Sequence, residues 1–130
     1  MTANSDSALQ TLRVLIVDDA DVVRTFLRSL LRKCNDIEVV GEAGDGAEAI
    51  ELARRLKPDV VVMDVTMPVM DGIAATAAIT EELPGIRVLG LSISADNAAA
   101  ESMVAAGAAD YLTKGGQPAD LVAAVRGIPR

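Results

Sequence analysis

This chain contains no histidine and no tryptophan, one cysteine, one tyrosine and one phenylalanine. Each shortage removes a class of chemistry. Without histidine there is no Ser-His-Asp triad and no His-ligated zinc. With only Cys34, no internal disulfide can form, which fits a reducing cytoplasm. A metal site in such a chain has to use oxygen ligands, and those favour hard divalent cations. An aromatic content of 2% leaves no base-stacking platform. The formal charge of −7 argues against direct binding to nucleic acid, whose affinity comes from Lys and Arg. Apolar runs are short, so no membrane span is expected. The polar start, Met1 to Gln10, lacks the apolar core of a signal peptide.

What remains is 130 residues that are 51% hydrophobic, the size of one ordinary domain. Val60-Val61-Val62-Met63 reads as a strand buried on both faces, closed by Asp64. Arg13-Val14-Leu15-Ile16-Val17 is a second such strand, closed by Asp18-Asp19. Glu38 to Ala43 reads as an edge strand, Arg87 to Leu91 as a strand ending at Ser92, and Ala109 to Leu112 as a short strand ending near Lys114.

Helical patterns fill the gaps. Val22, Phe26 and Leu30 lie beside Val23, Leu27 and Leu31 in one apolar stripe, with Asp19 or Asp21 as the cap. Asp45 and Glu48 resemble a capping box for a helix that Pro58 closes. A third helix spans Ile73 to Glu82. A fourth, rich in alanine, starts at Asp96 or Asn97 and stops at Gly107, and a fifth starts at Pro118 and stops at Gly127. Five strands alternating with five helices predict an α/β fold with a parallel sheet covered on both faces. The glycines Gly41, Gly44 and Gly46 do not follow a dinucleotide-binding spacing.

Parallel strands present their carboxyl ends at one edge, where open α/β sheets bind ligands. Asp18, Asp19, Asp64, Ser92 and Lys114 therefore converge. Separately, each reads as a cap, a turn residue or a solvated side chain. Together, three carboxylates repel one another and require a cation. Mg²⁺ suits oxygen ligands, with Mn²⁺ as a substitute. An ammonium and a hydroxyl beside it describe a site for a dianionic phosphoryl group, with a carboxylate as nucleophile.

Four stretches carry a family resemblance: Val17-Asp18-Asp19, Met63-Asp64-Val65-Thr66-Met67-Pro68-Val69-Met70-Asp71-Gly72, Leu91-Ser92, and Gly107-Ala108-Ala109-Asp110-Tyr111-Leu112-Thr113-Lys114. The chain resembles a response-regulator receiver domain of two-component signalling, the CheY-like fold, from about Leu12 to Arg126. That resemblance implies a flavodoxin-like (βα)5 sandwich with strand order 2-1-3-4-5. It implies an arm over 1–11, a receiver domain over 12–127 and a tail over 128–130.

It further implies that Asp64 accepts a phosphoryl group from a phosphohistidine of a sensor kinase or phosphotransfer protein. Asp19, Asp64 and the Thr66 carbonyl would ligate Mg²⁺, with Asp18 helping to hold it. Lys114 would contact the phosphoryl oxygens. Ser92 and Tyr111 would act as switch residues that move the face of helix 4, strand 5 and helix 5. Tyr111 reads equally well as an ordinary strand aromatic. The implied partners are a kinase or phosphotransfer protein, an output protein or output domain, and a phosphorylation-linked second copy. Neither nucleic acid nor a membrane is among them.

Such a domain is a phosphoacceptor, not an enzyme, apart from slow self-dephosphorylation. The competing readings are an adaptor that works without phosphorylation and an aspartate-nucleophile phosphatase. The latter often carries a second acid where this chain has Thr66. Departures from the family pattern are Gly115-Gly116 after Lys114, often a cis-proline position, and Ile93 after Ser92, often a small residue. Thr66 and Ser94 occupy positions that influence hydrolysis of the aspartyl phosphate.

Overall fold

A computed structural model describes residues 11–93 and 97–129. Apart from Thr11, the expected N-terminal arm lies outside the described residues. So do Ser94, the alternative cap Asp96, and Arg130 at the end of the expected tail.

Strands and helices alternate along the described residues. They run β1 (Leu12–Val17), α1 (Asp21–Arg32), β2 (Ile37–Ala43), α2 (Gly46–Leu56), β3 (Val60–Asp64), α3 (Gly72–Glu82), β4 (Arg87–Ser92), α4 (Asn97–Ala105), β5 (Asp110–Thr113) and α5 (Pro118–Arg126). The strands form one parallel sheet in the order β2-β1-β3-β4-β5, a flavodoxin-like fold. β2 lies at the edge, as its partial alternation predicts, and a bulge lets Val40 slip past β1.

The period of two explains the two cores. Leu15, Val17, Val61, Met63 and Val88 face Ala49 and Ala53 of α2, Ala75 and Ile79 of α3, and Met103 of α4. Val14, Ile16, Val60, Val62 and Leu89 face Leu27 and Leu31 of α1, with Leu121 and Val125 of α5. All five β3 residues are buried, so this central strand reads as a continuous apolar run rather than an alternating one.

At the amino end of the sheet, two strand arginines cap helices. Arg13 donates to the carbonyls of Leu56 and Lys57 at 2.7 and 3.0 Å, closing α2. Arg87 donates to Ala124 and Val125, closing α5. Orphan carbonyls at a helix end attract just such cations. Neither contact is visible in a linear pattern, because the partners lie 37 to 44 positions apart.

Two expectations for α1 need correction. Its N-cap is Ala20, without a side-chain cap; Asp18 Oδ1 instead accepts from the Ala20 N–H at 2.9 Å. The single apolar stripe is also divided. Leu27 and Leu31 are buried, but Val22 is 76% and Phe26 55% exposed. These two residues line a groove of about 450 Å³ between α1, the end of β5 and the start of α5. The period identifies a helical face; only the neighbouring helix decides how much of that face is covered. At α2 the box is offset by one residue. Asp45 accepts from the Glu48 N–H, while Glu48 accepts from the Gly44 N–H, both at 2.8 Å.

Candidate functional site

The carboxyl edge of the sheet gathers the expected residues. β1 ends at Val17 and delivers Asp18, while β3 ends on Asp64; both aspartates are buried. Asp19, the next residue along, is exposed. Asp18, Asp19 and Asp64 each offer a carboxylate oxygen, and these lie within 4.8 Å of one another. Ser92 closes β4 beside Thr113 of β5, and its carbonyl accepts the Lys114 N–H at 2.6 Å.

Lys114 is not the solvated lysine that its surroundings in sequence suggest. Its Nζ lies 2.8 Å from Asp18 Oδ2 and 3.2 Å from Asp64 Oδ1, with 19% of the side chain exposed. The ammonium thus bridges the two buried acids. Burial works against its charge, but the hydrogen bond to Asp18 and the charges of both aspartates outweigh that and raise its pKa.

Asp64 is pushed up to about 6. Burial is the first cause and the neighbouring Asp18 charge the second. Lys114 and a hydrogen bond from the Thr66 N–H pull the other way without prevailing. One ammonium does not neutralise three carboxylates. Asp18 Oδ2 is fully buried, and among the described residues the Lys114 ammonium at 2.8 Å is its partner. An all-oxygen donor set with surplus negative charge fits a hard divalent cation.

The loop after Asp64 is held closely. Val65 and Met67 are buried on either side of the exposed Thr66. The Gly72 N–H donates to the Val65 carbonyl at 2.7 Å, and a Cβ at Gly72 would stand 2.0 Å from the Asp64 carbonyl oxygen. Only glycine lets the backbone approach so closely. The Gly46 N–H reaches the Met70 carbonyl at 3.0 Å from the start of α2. Met67 belongs to the first core, and Met70 packs against it. Val69, 84% exposed, takes φ of 69° between Pro68 and Met70, an uncommon conformation for a β-branched residue.

Tyr111 leans on the first core beside Met103. A Cβ at Gly90 would meet Tyr111 Cδ1 and Met103 Cε, each at 2.9 Å, so Gly90 leaves the notch into which both side chains fit. Ile93 is 83% exposed and stands away from the core. No peptide bond is cis among the described residues.

The sequence reading missed four contributors: Arg24, Gly46, Gly72 and Gly90. Gly72 follows Asp71 at the end of a stretch that carries the family resemblance, and that Asp-Gly pair is its only signal. Arg24 had none.

A parallel five-stranded sheet with an acidic pocket and a paired lysine at its carboxyl edge defines a class: flavodoxin-like α/β proteins whose chemistry is carried by side chains just beyond the strands. Comparison narrows the class. The family described as "Response regulator receiver domain" matches residues 14–126, and the chain belongs to it. "Response regulator GacA" of Pseudomonas viridiflava is 42% identical over 115 residues, covering 88% of this chain and 54% of the relative. "Transcriptional regulatory protein LiaR" of Bacillus subtilis (strain 168) has the same identity and coverage. The chain therefore spans about half the length of these curated relatives. The solved signal receiver domain of the response regulator NarL from Mycobacterium tuberculosis superposes with a TM-score of 0.87 at 35% identity, covering 91% of this chain and 95% of that one. The chain is a receiver domain of the kind found in the response regulators of two-component systems. No helix among the described residues is long and apolar enough to cross a membrane.

Proposed function

We propose that this domain is a phosphorylation-dependent switch in which Asp64 is the acceptor. One observation carries the reading: at the open edge of the sheet an ammonium bridges two buried carboxylates, and one of them is Asp64. The donor is a phosphohistidine on a sensor kinase or phosphotransfer protein. An Asp64 oxygen attacks phosphorus, the N–P bond breaks, and its electron pair stays on the imidazole nitrogen, which takes up a proton. Asp19, Asp64 and the Thr66 carbonyl would hold the cation, Mg²⁺ or Mn²⁺ in its place, with Asp18 assisting. When bound it would supply positive charge against the phosphoryl oxygens.

Lys114 holds the acids in place before transfer and contacts a phosphoryl oxygen afterwards. Ser92 then offers its hydroxyl, and Tyr111 follows the β4–α4 loop, biasing the α4–β5–α5 face toward a second arrangement. An output domain, an output protein or a second copy would read that face. The exposed Val22 and Phe26 line one groove with Lys114 and with Gly116 and Gln117 of the β5–α5 loop, and the donor would seat along it. The domain spans 12–127 and works in the cytoplasm without turnover of a small substrate. Thr66, where many aspartate-nucleophile phosphatases carry an acid, stands against the enzyme reading.

The test is incubation with a small phosphodonor and Mg²⁺ followed by intact mass. One phosphate added to the wild type and none to Asp64→Asn supports the switch. Repeated hydrolysis of a phosphoester would replace it with the phosphatase, and no mass gain in the wild type would replace it with the adaptor.

A further inference from the structure

Arg24 lies in the second turn of α1, where the sequence pattern places a solvated residue. Its side chain is only 18% exposed. One guanidinium nitrogen donates to the backbone carbonyl of Asp18, and another pairs with Asp21. Nε faces Glu42 at 3.4 Å, and Glu42 is held in turn by Arg28. The Asp18 carbonyl belongs to the peptide that carries the Asp19 nitrogen. Arg24 holds that peptide by its oxygen, and the peptides on either side are held as well: the Asp18 N–H donates to the Ala43 carbonyl at 3.0 Å, and the Ala20 N–H donates to the Asp18 side chain. Asp19 is the exposed member of the acidic trio, so its own surroundings do little to place it.

We propose that Arg24 is a positioning residue for the cation pocket, setting the β1–α1 turn so that Asp18 and Asp19 present their carboxylates together. This rests on the reading of that trio as a divalent-cation site. A guanidinium near such a site would by itself repel a cation. Here Asp21 and Glu42 offset its charge, and the fork that grips the turn is what it contributes. Lysine has the charge but not the planar fork.

The two roles predict opposite signs. If Arg24 acts by geometry, Arg24→Met and Arg24→Lys both weaken Mg²⁺ binding. If it acts by charge alone, Arg24→Met tightens binding and Arg24→Lys leaves it unchanged. Mg²⁺ would be titrated by calorimetry into wild type, R24M, R24K and R28M, with metal-free thermal melting of each. The expected result is a loss of roughly tenfold or more for both Arg24 variants, about 1.4 kcal/mol, and less than about twofold for R28M, which breaks only the outer pair. With a small phosphodonor, the half-saturating Mg²⁺ should rise by the same factor, while the rate at saturating Mg²⁺ stays within about twofold. A general structural defect would raise the half-saturating Mg²⁺ and also lower the rate at saturation, and that result would overturn the positioning role. R24K decides the matter where R24M does not fold. Wild-type or tighter affinity in R24K or R24M would overturn the proposal. A wild type that binds no Mg²⁺ would overturn the cation site itself, and the role of Arg24 with it.

Discussion

The two flanks of the sheet are built differently. On the β1–α1–β2 side, α1 buries Leu27 and Leu31, and Arg24 and Arg28 tie it to the sheet through Glu42. On the β4–α4–β5 side, Met103 is the one fully buried residue of α4, and every residue of β5 is only half-buried. Alanines fill much of α4, and its one charged residue, Glu101, is exposed. Just past its end, the Thr80 hydroxyl donates to the Ala106 carbonyl at 2.7 Å and pins that terminus to α3. A large buried side chain contributes about 1.5–3 kcal/mol. The first flank therefore has more holding it than the second. Asp18 and Asp19, which must stay still, lie on the tied flank, Asp64 ends the central strand between the two, and the residues proposed to move lie on the other flank. Local opening follows local anchorage.

Predictions follow that contrast, beginning with the largest. Met103→Ala should cost about 2–5 kcal/mol in urea unfolding, and its amide exchange should rise first in α4 and β5. If wild-type α4 amides prove as protected as those of β1, the contrast between the flanks is wrong.

Asp64→Asn should stabilise the metal-free protein at neutral pH. The Asp64 pKa is raised to about 6 in the fold, above its unfolded value, so the fold favours the protonated acid. Stability from this group is present in full below the unfolded pKa near 4 and is lost as pH rises through 6. Two units correspond to about 3 kcal/mol. The gap between variant and wild type should be open at pH 7.5 and nearly closed at pH 4 in parallel denaturation curves; an unchanging gap would refute the assignment. Mg²⁺ should narrow the gap at pH 7.5 by stabilising the wild type selectively, and a chelator should restore it.

Gly90→Ala should cost about 1–3 kcal/mol by crowding Met103 and Tyr111. In a Met103→Ala background the added methyl finds room, so the double variant should lose less than the sum of the two. Strict additivity would mean that Gly90 does not supply the notch. Smallest of all, Arg54→Ala and Arg126→Ala break well-formed but exposed pairs with Glu82 and Asp36, and neither should move the unfolding midpoint measurably. A clear shift would mean that exposed ion pairs, and not only buried side chains, set how firmly the helices are held.

Much of this molecule was legible in its residues alone. Runs such as Val60 to Met63 announce strands buried on both sides, and the glycines and prolines at Pro58, Gly107, Pro118 and Gly127 punctuate the helices between them. Once the strands are parallel, Asp18, Asp19, Asp64, Ser92 and Lys114 fall at one edge, because the carboxyl ends of parallel strands share it. Strand order came from family resemblance rather than from periodicity.

The fold alone decided where reach and coverage matter. Val22 and Phe26 have the right period for a core but lie beyond the cover that α5 provides. Lys114 could have pointed to solvent; two buried acids drew it inward. Arg24, Arg13 and Arg87 read as surface charges until the chain brings distant carbonyls beside them. Periodicity records which way a side chain leaves its own backbone. What it meets there depends on segments tens of residues away, and no local pattern encodes them.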